Sequence, residues 1–126
     1  MRYLSLAEAL MIAEAVTGVD ADMLSKSAGI GLLDSAFHAP QASFGGEEFY
    51  PGFVEKAAVL AVRITRNHPL PDGNKRLAWG CLRMFCFLNG YELDSTADDA
   101  VELMLTVAAG DTDEASAATW LSQRLK

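Results

Sequence analysis

A ten-residue segment, NHPLPDGNKR at residues 67–76, constrains the fold of this chain more than any other feature. It separates two stretches with apolar residues at helical spacing, at about 53–66 and 74–89. Pro69 disfavours the α conformation at the residue before it, so the first helix should end near Asn67. The segment is therefore predicted to be a tight turn between two helices.

The residue types in this turn suit phosphate chemistry. The second helix should begin near Gly73, and its N-terminus would offer unpaired N–H groups and partial positive charge to an anion. Lys75 and Arg76 fall in the first helical turn, where cations are unfavourable unless an anion is bound. Asp72 can supply an oxygen ligand for Mg²⁺, and His68 can accept a proton near neutral pH. A base, a metal ligand and an anion cradle together indicate transfer from a nucleotide to a hydroxyl.

The sequence HPLPDGNKR, which ends at Arg76, resembles the core motif of the Fic/Doc family, and its NKR ending resembles the Doc (death-on-curing) branch. The resemblance implies an all-α helical bundle with a small β-hairpin flap, built as a single domain over residues 1–126. It implies a toxin of a toxin–antitoxin pair that uses ATP and Mg²⁺ to transfer the γ-phosphoryl group to a Ser or Thr hydroxyl of a protein. The family implies elongation factor Tu as the target, translation arrest as the outcome, and a small antitoxin that blocks the site.

Matched position by position, the resemblance makes His68 the general base and Asp72 the metal ligand. The residues expected to bind the phosphates of the nucleotide are Gly73, Asn74, Lys75 and Arg76. Two positions differ from the family pattern. Leu70 replaces a phenylalanine and is expected to pack into the core, whereas Trp79 replaces a second arginine that many AMP-transferring members carry. This second difference favours phosphoryl transfer, and an AMP-transferase or a non-enzymatic nucleotide-binding regulator are the alternatives.

Residues 41–52, QASFGGEEFYPG, differ in character from their helical surroundings. The Gly-Gly pair between short flanks predicts a hairpin turn. The resemblance makes this segment the flap whose exposed edge holds the target by main-chain pairing. The flap residues expected to dock the target are Ser43, Phe44, Gly45, Gly46 and Glu47. An ordinary surface loop is the alternative, and Glu47 and Glu48 are expected to be solvated.

Caps, glycines and apolar spacing predict further helices around the central pair. Ser5 and Glu8 form a capping box that starts the first of them. The predicted helices cover about residues 6–17, 20–27, 32–40, 97–109 and 113–125. The helix after the turn is apolar on nearly all sides, so it is expected to be the buried central helix, with Trp79 and Met84 in the core.

Composition narrows the classes of function. The formal net charge of −7 argues against direct binding of nucleic acid, because no broad basic surface is available to neutralise phosphates. No apolar run is long enough for a membrane span. Glu8 and Glu14 interrupt the apolar N-terminal stretch at helical spacing, so this stretch is expected to be an amphipathic helix of a cytoplasmic protein rather than a signal sequence.

The other reactive side chains are expected to be structural. Cys81 and Cys86 lie in one helix, where about 7.5 Å of rise puts them beyond disulfide reach, so they are expected to be buried free thiols. His38 is expected to be structural or solvated. The arginines without a place in the motif are expected at the surface or in ion pairs, and they are Arg63, Arg66 and Arg83.

Overall fold

The computed structural model describes all residues from Met1 to Lys126 and contains seven α-helices and one two-stranded hairpin. The α-helices are α1 (Leu6–Thr17), α2 (Ala21–Ser25), α3 (Ile30–His38), α4 (Phe53–Asn67), α5 (Asn74–Leu88), α6 (Ala97–Ala108) and α7 (Glu114–Ser122). A 3₁₀ turn (Ala39–Gln41) precedes the strands β1 (Ser43–Phe44) and β2 (Glu47–Glu48). The predicted all-α bundle with a small hairpin is confirmed. None of the helices combines the length and the apolar character needed to cross a bilayer.

The helix boundaries follow the caps that the sequence contains. The capping box at the start of α1 is formed as predicted, with Ser5 and Glu8 each bonded to the backbone of the other. Three predicted helices extended too far at their C-terminal ends. The second helix ends at Ser25 rather than at residue 27. The third helix ends at His38, and Pro40 lies in the 3₁₀ turn that follows. The last helix ends at Ser122 because the chain after it turns back to form an isolated antiparallel bridge with Leu93.

The most enclosed helix is α4 rather than α5, so the prediction that α5 is the buried central helix was wrong. Ten of the fifteen residues of α4 are buried, and this helix packs against α3, the 3₁₀ turn, α5, α6 and α7. Only seven of the fifteen residues of α5 are buried. The apolar residues of α5 occupy two sides: one side packs in the core and the other remains open. Hydropathy alone does not distinguish these two sides, because both are apolar.

The hairpin is confirmed. Ser43 pairs with Glu48, and Phe44 pairs with Glu47, in antiparallel register. The two turn glycines have φ angles of 62° and 84°. A two-residue turn of this hand needs positive φ at both positions, which glycine adopts without steric cost.

The two cysteines of α5, Cys81 and Cys86, are buried free thiols, as predicted. Burial raises the pKa of the Cys81 thiol to about 12. Burial also raises the pKa of the Cys86 thiol, to about 11. Because the thiolate is the reactive form, neither cysteine is a nucleophile at neutral pH in the folded protein.

We expect the native protein to release almost no thionitrobenzoate from Ellman's reagent near pH 8, and the protein in guanidinium chloride to release two equivalents, one for each cysteine. The raised pKa values keep both native thiols protonated well above the pH of about 8.5 at which an exposed thiol ionises. Absorbance at a fixed reaction time measures the difference. Rapid release of one equivalent from the native protein would show that a thiol is accessible.

Candidate functional site

The loop between α4 and α5 begins with a constrained histidine. His68 caps the C-terminus of α4 with φ 50° and ψ 55°, and it is the only non-glycine residue with a positive φ. Such a conformation is unfavourable for most side chains, and it persists where the surrounding structure enforces it. His68 is exposed, so its ring is accessible to a ligand.

The side chain of Asn74 determines the shape of this loop. Asn74 is only 4% exposed, and its Oδ1 accepts from the backbone N–H of Leu70 at 2.8 Å. Its Nδ2 donates to the carbonyl of Leu70 at 2.8 Å and lies 2.9 Å from Nδ1 of His68. The amide of Asn74 is therefore fully used within the loop, and only its backbone N–H is available to a ligand.

These bonds also assign the protons of His68. A backbone N–H can only donate and a carbonyl can only accept, so the two bonds to Leu70 fix which end of the Asn74 amide is the nitrogen. That nitrogen donates its second hydrogen, so Nδ1 of His68 is the acceptor. The neutral ring consequently carries its proton on Nε2 in the resting protein.

The N-terminus of α5 is uncapped. Gly73, at the N-cap position, has φ 86°, and no side chain accepts a hydrogen bond from the first turn. The backbone N–H groups of Asn74, Lys75 and Arg76 have no acceptor, and no acidic residue lies in this turn. Unpaired N–H groups at a helix N-terminus are a general anion-binding arrangement.

The positive side chains are unevenly distributed. Six of the ten lysines and arginines form ion pairs with carboxylates. Arg66 donates to the backbone oxygen of Thr112 at 2.8 Å. The three that remain without an anionic partner are all exposed on α5, and they are Lys75, Arg76 and Arg83. In a chain of net charge −7 with a surplus of carboxylates, this cluster is a local positive surface.

Asp72 lies next to the uncapped helix end and is exposed. Its Oδ1 accepts from the backbone N–H of Gly73 at 2.8 Å, which leaves Oδ2 free. No group of three or more His, Cys, Asp or Glu side chains is placed to hold a metal ion. A single free carboxylate oxygen fits Mg²⁺ that arrives with phosphates, because Mg²⁺ commonly takes one or two carboxylates and completes its shell with phosphate and water.

A large open groove runs beside this site between α1, α5 and α6. Its volume is about 870 Å³. Lys75, Arg76 and Arg83 line it together with mostly apolar side chains, among them Trp79 and Met84. Met84 is 39% exposed, so the prediction that it lies in the core was wrong. Trp79 is half-buried, and its ring meets that of Trp120 edge-on at 6.2 Å.

The predicted flap is not bonded to the loop at His68. Residues 43–48 are exposed, and no hydrogen bond or ion pair joins them to residues 68–76. Glu47 and Glu48 are exposed, as predicted, and Oε1 of Glu48 also lies 2.9 Å from Nζ of Lys56 on α4. Phe44, just before the hairpin turn, is 80% exposed, and Phe49, just after the second strand, is 62% exposed.

Arg63 and Arg66 are at the surface, as expected. Arg63 pairs with Glu114 of α7 at 2.8 Å and lies 3.4 Å from the hydroxyl of Tyr50. Tyr50 also donates to Glu114 at 3.1 Å. Burial and the Glu114 carboxylate raise the pKa of Tyr50, so its hydroxyl remains a donor at all physiological pH values. This cluster ties the end of the hairpin segment to α4 and α7.

The shape of the loop also depends on Gly29, which lies outside the motif. Gly29, just before α3, lies so close to the loop that a Cβ there would overlap the carbonyl oxygen of Pro69. Its φ of −82° is accessible to any residue, so glycine is required here by space and not by backbone conformation. In the sequence, Gly29 is only one of two glycines between the second and third predicted helices, and nothing indicates its contact with Pro69.

The chain is similar in sequence to known proteins. Residues 3–86 match the model of the Fic/DOC family. A curated relative called Toxin Doc, from Mycolicibacterium smegmatis, is 45% identical over 94 residues, which cover 73% of this chain and 72% of the relative. The matched segment includes the hairpin and the His68 loop, and it ends within α5.

We expect Gly29→Ala to lower the free energy of unfolding by about 1–3 kcal/mol, because the new methyl group must displace backbone atoms of the loop. Gly31→Ala is the matched control on the same helix, since a Cβ there would meet nothing within 4 Å. The control should be neutral or up to about 1 kcal/mol more stable, because alanine favours the helix. Urea denaturation measures both. Equal stability of the two variants would contradict the close contact between Gly29 and Pro69.

Proposed function

Because this chain belongs to the Fic/DOC family, we propose that it is a Doc-type toxin that transfers the γ-phosphoryl group of ATP to a Ser or Thr hydroxyl of a protein. The observation that carries the proposal is the loop between α4 and α5. There a constrained, exposed His68 is held by Asn74, which is itself the first residue of an uncapped helix. A proton acceptor and an anion site are thus joined by one hydrogen bond.

The phosphates would bind at the N-terminus of α5. The free N–H groups of Asn74, Lys75 and Arg76 would donate to phosphate oxygens, and the two cationic side chains would neutralise their charge. Gly73 lacks a side chain that would cover these N–H groups. A bound polyphosphate would also remove the unfavourable interaction between the two cations and the helix dipole.

Asp72 would hold Mg²⁺ through its free Oδ2, while Oδ1 remains bonded to Gly73. When bound, Mg²⁺ neutralises charge on the phosphates during transfer. Asp72 lies on the exposed side of the loop and lines a cavity of about 260 Å³ together with Arg76. Asp72 and Arg76 therefore line the same space next to the phosphate site.

His68 would take the proton of the attacking hydroxyl. The hydroxyl oxygen forms a bond to the γ-phosphorus, the bond from that phosphorus to the β–γ bridging oxygen breaks, and ADP leaves. The proton goes to Nε2, which must first be free of its own proton. Because the ring is exposed, solvent can carry that proton from Nε2 to Nδ1 once Asn74 releases Nδ1. Base catalysis at Nε2 therefore includes loss of the hydrogen bond between Asn74 and His68.

Lys75 favours reaction at the γ-phosphorus over the α-phosphorus. In AMP-transferring relatives a glycine at this position leaves room for the phosphates to sit deep in the cradle. Here an exposed, unpaired lysine side chain occupies that space. Trp79 stands where those relatives have a second arginine. An uncharged ring therefore lines the groove at this position. Both differences support phosphoryl transfer, and AMP transfer is the alternative.

We propose elongation factor Tu as the protein target, with translation arrest as the result. The hairpin would hold the target by main-chain pairing along its exposed edge, at the residues Ser43, Phe44, Gly45, Gly46 and Glu47. The sheet has only two strands, so each strand has an unpaired outer edge that can accept a further strand. The exposed ring of Phe44 offers an apolar contact beside that edge.

We propose that the antitoxin docks in the groove between α1, α5 and α6. The groove is largely apolar, and its cations have no partner within the chain. A segment with apolar residues and a few carboxylates complements both properties. Since Lys75 and Arg76 line the groove and also belong to the phosphate site, a segment seated there would compete with the nucleotide.

With elongation factor Tu and Mg²⁺ present, we expect γ-labelled ATP to label the target and α-labelled ATP not to label it. His68→Ala should reduce labelling by about 10²–10⁴-fold, because a general base contributes that much. The matched control is His38→Ala, since His38 is the only other histidine, is exposed and bonds only to its own helix. This control should label normally.

Label from the α-phosphate, with pyrophosphate released, would show AMP transfer. Binding of ATP without label in any protein would favour a nucleotide-binding regulator. Equal labelling by folded His68→Ala and by the unchanged chain would remove His68 from the mechanism. Growth of a bacterium that expresses each variant gives a second measurement that does not depend on the choice of target.

We expect Phe87→Ser to weaken antitoxin binding by about tenfold or more, because loss of an aromatic contact at an interface typically costs that much. Phe87 is 75% exposed and lines the groove. Met11→Ser is the control, since Met11 is 69% exposed on α1 but does not line the groove. Rescue of growth by co-expressed antitoxin measures the effect. Equal rescue of both variants would place the antitoxin elsewhere.

A further inference from the structure

A buried lysine has no role in the chemistry described so far. Lys56 lies on α4 and is only 2% exposed. Its Nζ donates to the carbonyl of Pro40 at 3.0 Å and to Oε1 of Glu48 at 2.9 Å. Lysine is rarely buried so completely, and burial of a charge is costly unless the charge is paired and hydrogen-bonded.

These two bonds join three segments of the chain. Pro40 belongs to the 3₁₀ turn, Glu48 to β2, and Lys56 to the helix at the centre of the fold. The hairpin itself contains only two residue pairs, and one further bond, from the N–H of Phe49 to the carbonyl of Ala42 at 2.9 Å, closes its base. A hairpin this short is marginal by itself in water. Its orientation therefore depends on the bonds that hold it to α4.

The ion pair between Lys56 and Glu48 holds the hairpin to α4 strongly, because the Lys56 ammonium is shielded from water. Burial lowers the pKa of Lys56, but interactions with Glu48 and Tyr3 more than offset this, so its pKa lies above the ordinary value. The ammonium is therefore charged throughout the physiological range. The Glu48 side chain is 48% exposed, so the hairpin end of the tie is accessible to mutation without opening the core.

We propose that Lys56 is a positioning residue that holds the hairpin in the orientation needed to bind the protein target. This inference rests on the proposed function, in which the hairpin docks the target. Lys56 is twelve residues before His68 on the same helix, about 18 Å along its axis, so it does not reach the reacting atoms. It acts through Glu48 and the hairpin.

The first test measures hydrogen exchange of the hairpin amides, which needs no target. We expect Lys56→Met to speed exchange across residues 43–49 by about tenfold or more, because the hairpin loses its tie to the core. Methionine matches the length of the lysine, and the Glu48 carboxylate that is left is 48% exposed, so no unpaired charge remains buried. The thermal midpoint should therefore change little while the hairpin loosens.

Transfer kinetics show whether the tie matters for function. For Lys56→Met with elongation factor Tu as substrate, we expect KM for the protein to rise about tenfold, with kcat and the affinity for ATP within about twofold of the unchanged chain. Glu48→Ala should have the same effect from the exposed end of the pair. The double variant should have a KM no higher than that of either single variant, because the two single variants remove the same interaction.

Two controls isolate the pair. Lys26→Met removes an exposed lysine paired with Asp22 on α2, and Lys126→Met removes the exposed last lysine, which pairs with Asp94. Both should leave exchange and KM unchanged. Normal hairpin exchange in both Lys56→Met and Glu48→Ala would overturn the proposal, as would a loosened hairpin with an unchanged KM. Absence of transfer by the unchanged chain would instead contradict the proposed phosphotransfer, while the exchange result would still decide whether Lys56 holds the hairpin.

Discussion

The burial of α4 is the constraint on which the rest of the structure depends. This helix carries Lys56 in its first half and ends at His68, and other elements surround it on most sides. Small residues allow the close approach: Ala57, Ala58 and Ala61 are each at most 3% exposed. A helix packed in this way cannot rotate or slide without breaking many contacts. The spacing between the hairpin anchor and the candidate base is therefore a fixed property of the fold.

The loop after α4 contains both satisfied and unsatisfied polar groups, and the difference indicates their uses. The buried amide of Asn74 meets all its partners within the loop, as buried polar groups usually do. The N–H groups at the start of α5 meet none, and Lys75 and Arg76 next to them lack carboxylate partners. The hydrogen bonds of Asn74 thus hold the loop in a shape that leaves these N–H groups and cations unpaired. A bound anion would pair with both.

The candidate phosphate site and the apolar groove share two residues, Lys75 and Arg76. A segment that occupies the groove would therefore act on the nucleotide site directly, without any change of conformation passing through the protein. The hairpin lies on a different part of α4, tied at Lys56. Under the proposed function, the antitoxin would cover the groove and the nucleotide site beside it, while the target would bind at the hairpin.

Local sequence was enough to predict the helix–turn–helix around residues 67–76, the hairpin at its glycine pair and the buried cysteines. Each of these depends on local chemistry: proline and glycine conformation, caps and the spacing of apolar residues. Four features became visible only in the folded chain: α4 and not α5 is enclosed, Asn74 holds His68, Glu48 pairs with a buried lysine, and Gly29 touches Pro69. These features depend on contacts between residues distant in sequence or on the direction in which a helix face points. Neither composition nor periodicity records which of two apolar faces will be covered, because that depends on where the other helices pack.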